Sequence, residues 1–261
     1  MKITWYGTAS LIVEIDGCRI ALDPYISRNP RLPGVDPHDL AGVKAVLVTH
    51  GHFDHAADIP SLLNDLSVPV YAPAETVEAL SSRPCFTYLN LHGVEAGEVF
   101  EVEGLRITSY PACHVKFDPP LILRTLLRVL PELILRPRPL FKIISDYFKY
   151  PQGRICAWEI KSGSKSILIF GSMGLDPEQN YPSPDVLVLP LQGHSSIEKL
   201  ALEAAMRIKP SIIMPHHFDD SFPPISSHVD ISVFADMLKS KMPGVEVIIP
   251  CHRKEMDIRN N

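Results

Sequence analysis

The sequence predicts an α/β chain in which two β-sheets pack face to face and helices cover their outer surfaces. Three observations carry that expectation: a β-meander over residues 2–22, two later hairpins that turn on glycine, and a tail in which short apolar strands alternate with helices. In the meander, "KITWY" and "SLIVEI" precede an Asp16-Gly17 turn and "CRIAL", and an Asp-Gly pair between apolar runs is a strong hairpin signal. "KAVLVT" (44–49) and "VPVYA" (68–72) are short strands, the second followed by a helical "PAETVEAL" (73–80). The hairpins lie over 98–112, turning at Glu103-Gly104, and over 153–172, turning near Ser162-Gly163. Strands at 185–190, 211–215 and 245–250 alternate with helices at 195–209 and 229–241.

Composition fits a folded domain. The 261 residues are 46% hydrophobic and 21% charged, enough apolar material for a sizeable core, and no internal repeat is visible. The net charge of -5 provides no general electrostatic footprint for nucleic acid. Five scattered cysteines, Cys18, Cys85, Cys113, Cys156 and Cys251, lack C-x-x-C spacing, which argues against a disulfide framework and for reduced, cytoplasmic thiols. The N-terminus enters a strand without the apolar stretch of a secretory signal, and no run reaches the roughly 20 apolar residues of a membrane span.

The chemistry concentrates in "VLVTHGHFDHAAD" (46–58), where His50, His52, Asp54 and His55 follow directly on an apolar strand. A strand end leading into a tight loop is a platform on which ligands converge. His50 and His52 alternate to one side of an extended segment, whereas Asp54 and His55 arise from the turn into a helix. Two ligand sets a few ångströms apart invite two divalent ions.

The motif H-x-H-x-D-H resembles the signature of the metallo-β-lactamase-fold hydrolases, and the resemblance extends over most of the chain. "ALDP" (21–24), "YPACH" (110–114) and "MPHHF" (214–218) are similar to further family motifs in the same order, and "DPYISRNP" is similar to the branch that contains ascorbate-phosphate lactonase. The resemblance implies a four-layer αββα sandwich over 1–261, with a helical insertion or cap at 116–152. It implies one metal on His50, His52 and His114 and a second on Asp54, His55 and His217, with His216 as the alternative to His217. Asp54 is also the expected catalytic proton acceptor, and Asp23 an outer carboxylate that orients a ligand histidine. Zinc heads the expected ions, with manganese or iron as alternatives, one or two per chain.

The sequence departs from the family pattern at Ser172 in "LIFGSMGLD", where the family places an aspartate bridging both metals. One anion fewer weakens the hold on the second cation. Asp176 is a poor candidate to replace it, since Gly174 and Pro177 flank it in a loop. Thr8 stands where relatives carry histidine, Ser195 reads as a helix N-cap, His194 as a loop histidine within reach of a substrate, and Cys113 as a core residue.

The expected function is metal-dependent hydrolysis of a small-molecule ester, lactone or phosphoester by a metal-activated hydroxide. The alternatives are a lipid-directed phosphodiesterase at a membrane interface, or a metal-binding sensor weakened in catalysis by Ser172. The partner is a small molecule or a lipid, with no nucleic acid. Residues 121–150 carry six Lys or Arg against two acids in an otherwise Leu- and Ile-rich stretch, a local +4 in a chain of net -5. Segment 119–150 is therefore expected to pack on the protein itself, to join a homo-oligomer, or to cap the site and touch an anionic membrane.

Overall fold

The computed structural model describes residues 1–258 except 33, 64–66 and 136. Seven strands form the first sheet: β1 (Lys2–Gly7), β2 (Ser10–Ile15), β3 (Cys18–Leu22), β4 (Val43–Leu47), β5 (Pro69–Pro73), β6 (Asn90–Val94) and, on the outer edge beside β1, β14 (Glu255–Asp257). The second sheet runs from β7 (Val99–Val102) through β8 (Leu105–Ala112), β9 (Ile155–Ser162), β10 (Lys165–Ile169), β11 (Val186–Pro190) and β12 (Ile212–His216) to β13 (Glu246–Val247). The two sheets and their flanking helices make the layered αββα sandwich that the resemblance implies.

The alternation of the meander explains the layering. On β1, Ile3 and Trp5 point into the space between the sheets, where Trp158, Ile160 and Leu168 meet them. On β4, Ala45 and Leu47 join that core, whereas Val46 faces a second cluster under α1 (Phe53–Ala56) and α2 (Ile59–Leu62). The remaining helices are α3 (Ala74–Ser81), α4 (Pro119–Leu135), α5 (Pro137–Lys149), α6 (Ile197–Ile208) and α7 (Ser232–Lys241). Among the described residues no helix is long and apolar enough to cross a membrane.

Strand direction decides where functional loops gather. β1, β3 and β4 run the same way in one sheet, as do β8, β10, β11 and β12 in the other. Their C-terminal ends therefore open on a common edge of the sandwich, the place where loops can converge on a ligand. The edge is stitched across the sheets: Trp158 donates its indole N–H to Val48 O (3.1 Å), and Cys156 N donates to Thr49 O (2.9 Å).

Several boundaries differ from the sequence pattern. The last expected strand, 245–250, shrinks to Glu246–Val247, because it is an edge strand with β12 as its single neighbour. The helix expected from 229 begins at Ser232, whose N–H is bound by the Asp230 carboxylate (2.9 Å). The edge strands β6 and β14 escape the pattern, since "NLHGV" and "EMD" lack a repeated apolar face. Cys113 is exposed rather than core, because β8 ends at Ala112 and alternation stops there. Helix α4 runs through Pro131 to Leu135.

Gly51 shows how tightly the loop after β4 is held. Its N–H donates to Gln152 O (2.9 Å), and a Cβ at this position would lie 2.2 Å from the carbonyl oxygen of Pro151. Backbone cannot yield as a flexible side chain does, so Gly51→Ala should cost about 1–3 kcal/mol. Chemical denaturation of the two proteins measures this directly.

Candidate metal centre

Each expected ligand arises at the shared edge. β4 ends at Leu47, and Thr49 to His55 descend into the site through α1; His114 follows β8, Ser172 follows β10, and His217 follows β12. The structure brings His50, His52 and His114 together as one group of convergent ligand atoms, and Asp54, His55 and His217 as a second. Within each group these atoms lie within 4.8 Å of one another.

Hydrogen bonds orient the rings. Asp23, buried at 1% exposure, accepts from Thr49 N (2.7 Å), Thr49 Oγ1 (2.7 Å) and His55 Nδ1 (2.8 Å). Because the Thr49 hydroxyl proton goes to Asp23, its oxygen can accept from His50 Nδ1 (3.0 Å). His114 Nδ1 donates to Val115 O (2.8 Å). These contacts place the lone pair of His50, His55 and His114 on Nε2, the arrangement in which an outer partner fixes the ligating tautomer.

The spacing tests whether ions fit. His50 Nε2 and His52 Nδ1 are 3.1 Å apart, and His217 Nε2 lies 3.3 Å from Asp54 Oδ2. Ligands about 2.1 Å from a tetrahedral zinc are separated by about 3.4 Å, so both pairs already stand near the required edge length. Protonation suits the same role. Burial, with neighbouring imidazoles adding to it, holds His50 well below the ordinary histidine range and lowers His114. Burial also takes His52 down to about 4, although Asp54 opposes it. Burial disfavours the Asp54 carboxylate, but His55 and the hydrogen bond with His217 outweigh it and keep the acid ionised. His55 is the exception: burial opposes its charge, yet Asp23 and Asp54 together raise its pKa. Neutral imidazoles and an ionised carboxylate are the forms that bind a divalent cation.

The two histidines of "MPHHF" take different roles. His216 ends β12 with its side chain fully buried, its Nε2 hydrogen-bonded to Phe170 O (2.8 Å). His217 takes φ 53°, a left-handed turn that swings its ring over Asp54. Its own N–H donates to Thr8 O (2.8 Å), and Thr8 N donates to the Asp219 carboxylate (3.0 Å). Thr8, at φ 44°, is thus part of the brace that holds the turn. Asp219 in that brace was not evident from the sequence, where it reads as one more loop aspartate.

Ser172 is buried beside the site and accepts from Val115 N (3.1 Å) through its hydroxyl. Asp176 does not stand in for an acid there: its carboxylate accepts from Glu178 N (2.9 Å), outside both ligand groups. Among the described residues Asp54 is the one carboxylate in either group. Ser195 is not a helix cap; α6 starts at Ile197, and Ser195 instead binds the Asp118 carboxylate through N–H (2.9 Å) and hydroxyl. His194 Nδ1 accepts from Ser196 N (3.0 Å), which leaves Nε2 as its protonated nitrogen at the cavity wall.

The ligand groups open on a cavity of about 450 Å³ roofed by α4 and α5, with Leu121, Ile122, Leu126, Ile143, Ile144 and Phe148 in its walls. Tyr147 lies over His52, ring centroids 5.5 Å apart. Arg128 reaches inward from α4 and donates to Ile225 O (3.1 Å), while its buried Nε–H has no partner among the described residues. Neither Arg128 nor Tyr147 carries a motif, so sequence pattern alone could not single them out.

The geometry sets the outcome of substitutions at three positions. His217→Ala should stay folded and lose metal, measured by elemental analysis, whereas His216→Ala should lose stability through a cavity and an orphaned Phe170 carbonyl. The His216 pKa is pushed down to about 3 by burial and by His217. An unfolded chain takes up a proton as pH falls through the ordinary histidine pKa of about 6.5. The folded protein resists that proton until about 3, so chelated protein should lose stability across this window on acidification. His216→Gln should make that slope shallower in thermal melts. Ser172→Asp should increase affinity for a second metal, read by titration calorimetry on chelated protein, because it adds a buried anion to the wall of the cavity on which both groups open.

Known proteins share these features. Residues 18–125 match the family model described as a beta-lactamase superfamily domain. A UPF0173 metal-dependent hydrolase of Methanopyrus kandleri is 28% identical over 262 residues, covering 95% of this chain and 96% of that protein. Among solved structures, Igni18, a metallo hydrolase from Ignicoccus hospitalis, superposes with a TM-score of 0.71 at 22% identity, covering 99% of both chains. An isothiocyanate hydrolase from Delia radicum gut bacteria superposes with a TM-score of 0.66 at 17% identity, again over 99% of both chains. Similarity along nearly the whole chain to metal-dependent hydrolases, joined to the shared metallo-β-lactamase fold and the paired histidine-rich groups, makes this protein a metal-dependent hydrolase with that fold.

Proposed function

We propose that the protein hydrolyses an ester, lactone or phosphoester bond in a small molecule with an apolar tail, with His50, His52 and His114 holding one ion and Asp54, His55 and His217 a second. The observation that carries this reading is the apolar cavity of about 450 Å³ standing directly over both ligand groups. Its volume lies in the range of small-molecule sites, and its lining favours an aliphatic or aromatic substituent over a sugar or a nucleic acid. The lactone branch of the reading rests on the sequence likeness to ascorbate-phosphate lactonase. Zinc suits the imidazole-rich donor set, with manganese and iron as alternatives. The five free cysteines are consistent with a reducing, cytoplasmic setting.

Bound divalent ions supply the Lewis acidity that polarises the scissile group and brings the pKa of water toward neutrality. The chain's own residues supply placement and proton handling. Asp54, held ionised, accepts a hydrogen bond and so orients the attacking water, and its carboxylate is the acceptor for a departing proton. His194, with its proton fixed on Nε2, can donate to the leaving oxygen. Arg128 offers its unpartnered Nε–H and its charge to an anionic group on the substrate. Ser172, neutral where a bridging acid would add negative charge, would leave the two groups holding their ions with unequal affinity.

Hydrolysis of p-nitrophenyl acyl esters of increasing chain length, of alkyl lactones and of bis-p-nitrophenyl phosphate tests the reading on metal-loaded protein. For the preferred class kcat/KM should rise about fourfold per added methylene while the chain still finds cavity wall, the equivalent of about 0.8 kcal/mol per buried CH₂. His52→Ala should reduce turnover more than about 100-fold, since loss of a direct ligand exceeds loss of its outer partner. Metal-loaded protein that turns over none of these compounds would refute the assignment.

A further inference from the structure

We propose that the outward face of α4, together with the rim of α5, docks on an anionic membrane surface. The proposal stands apart from the hydrolytic reading, because docking is measured without turnover.

The helix is turned inside out relative to an ordinary surface helix. At 100° per residue, Thr125, Arg128 and Glu132 fall on one stripe and Leu123, Leu127, Leu130 and Ile134 on the opposite one. Thr125 and Arg128 line the cavity, and Arg128 is hydrogen-bonded to Ile225 O, so the polar stripe faces the protein body. The apolar stripe faces away: Leu127 is 64% exposed and Ile134 82% exposed, and no residue of α4 is buried. Packing on the rest of the fold does not explain that choice. Apolar surface of this extent, contiguous along about three turns, marks an interaction site rather than a solvated face.

Charge selects the occupant. Arg124 on α4 and Arg138, Lys142 and Lys149 on the neighbouring α5 are exposed, and none pairs with a carboxylate among the described residues. The acids of the segment, Glu132 and Asp146, are half-buried instead. An isologous contact with a second copy would set these cations against one another, since each patch would meet its own image. An anionic lipid surface complements them, at about 1 kcal/mol per basic residue near the headgroups, while the leucines and Ile134 enter the acyl boundary.

Continuity with the cavity supports the same occupant. Leu126, Tyr147 and Phe148 both line the cavity and reach the surface, Phe148 with 79% exposure. A molecule dissolved in the bilayer would therefore pass to the site between apolar side chains.

Co-sedimentation of the full chain with vesicles provides the test. Vesicles of phosphatidylglycerol and phosphatidylcholine should pull down the protein, and vesicles of phosphatidylcholine alone should do so at least about tenfold less. Leu127→Asp with Ile134→Asp should abolish uptake while circular dichroism and metal content stay unchanged. Arg124→Gln with Lys142→Gln should weaken it on the order of twentyfold, about fivefold for each charge removed. Equal uptake by both vesicle types overturns the anionic-surface assignment. Absence of uptake by either, with a dimer in analytical ultracentrifugation that Leu127→Asp and Ile134→Asp convert to monomer, overturns it in favour of a contact between copies.

Discussion

Everything at the open edge of the sandwich depends on one buried carboxylate. Asp23 lies at the end of β3 with both oxygens engaged by Thr49 and His55. A charge taken so far from water is tolerable because three donors meet it, and losing any of them would leave it uncompensated. The same contacts set the Thr49 hydroxyl for His50 and the ring of His55 for its neighbours. The second sheet is fitted to this cluster: a Cβ on Gly171 would come within 2.0 Å of Thr49 Oγ1, so the end of β10 can pass there only without a side chain. The β3, β4 and β10 ends are thereby locked in one arrangement before any ligand binds.

That preorganisation explains the electrostatics of the site. Burial strips charge from His50, His52 and His114, whereas Asp23 and Asp54 beside His55 raise its pKa against the same burial. Lone pairs thus crowd into a small volume at spacings a cation would relieve. Ser172 makes the balance asymmetric. The group around His50 is held by three neutral nitrogens, and the group around His217 depends on a single acid.

Helices α4 and α5 convert this edge into an enclosed site. Asp118, clamped by Ser195, ties the start of α4 to the loop before α6, while Arg128 anchors its middle to the Ile225 carbonyl. The polar stripe is spent on holding the roof in place, and Leu123, Leu127, Leu130 and Ile134 are left outside. Cavity lining and the exposed apolar stripe are consequently presented by different faces of one helix.

The sequence by itself determined the layered α/β class, the order of most strands and helices, and the candidate ligands of the H-x-H-x-D-H loop, because those depend on local periodicity and on residues adjacent in the chain. It also exposed Ser172 as a departure and 119–150 as an apolar, basic segment. Which of His216 and His217 turns toward Asp54 could not be read from it, since alternation along β12 is broken by a left-handed residue braced from Thr8 and Asp219, far away in sequence. The isolation of Asp176, the employment of Ser195 on Asp118 rather than as a cap, and the outward turn of the α4 leucines were likewise decided by tertiary contacts. Local patterns specify how a segment folds, whereas the direction in which a helix presents its two faces depends on what the rest of the chain sets beneath it.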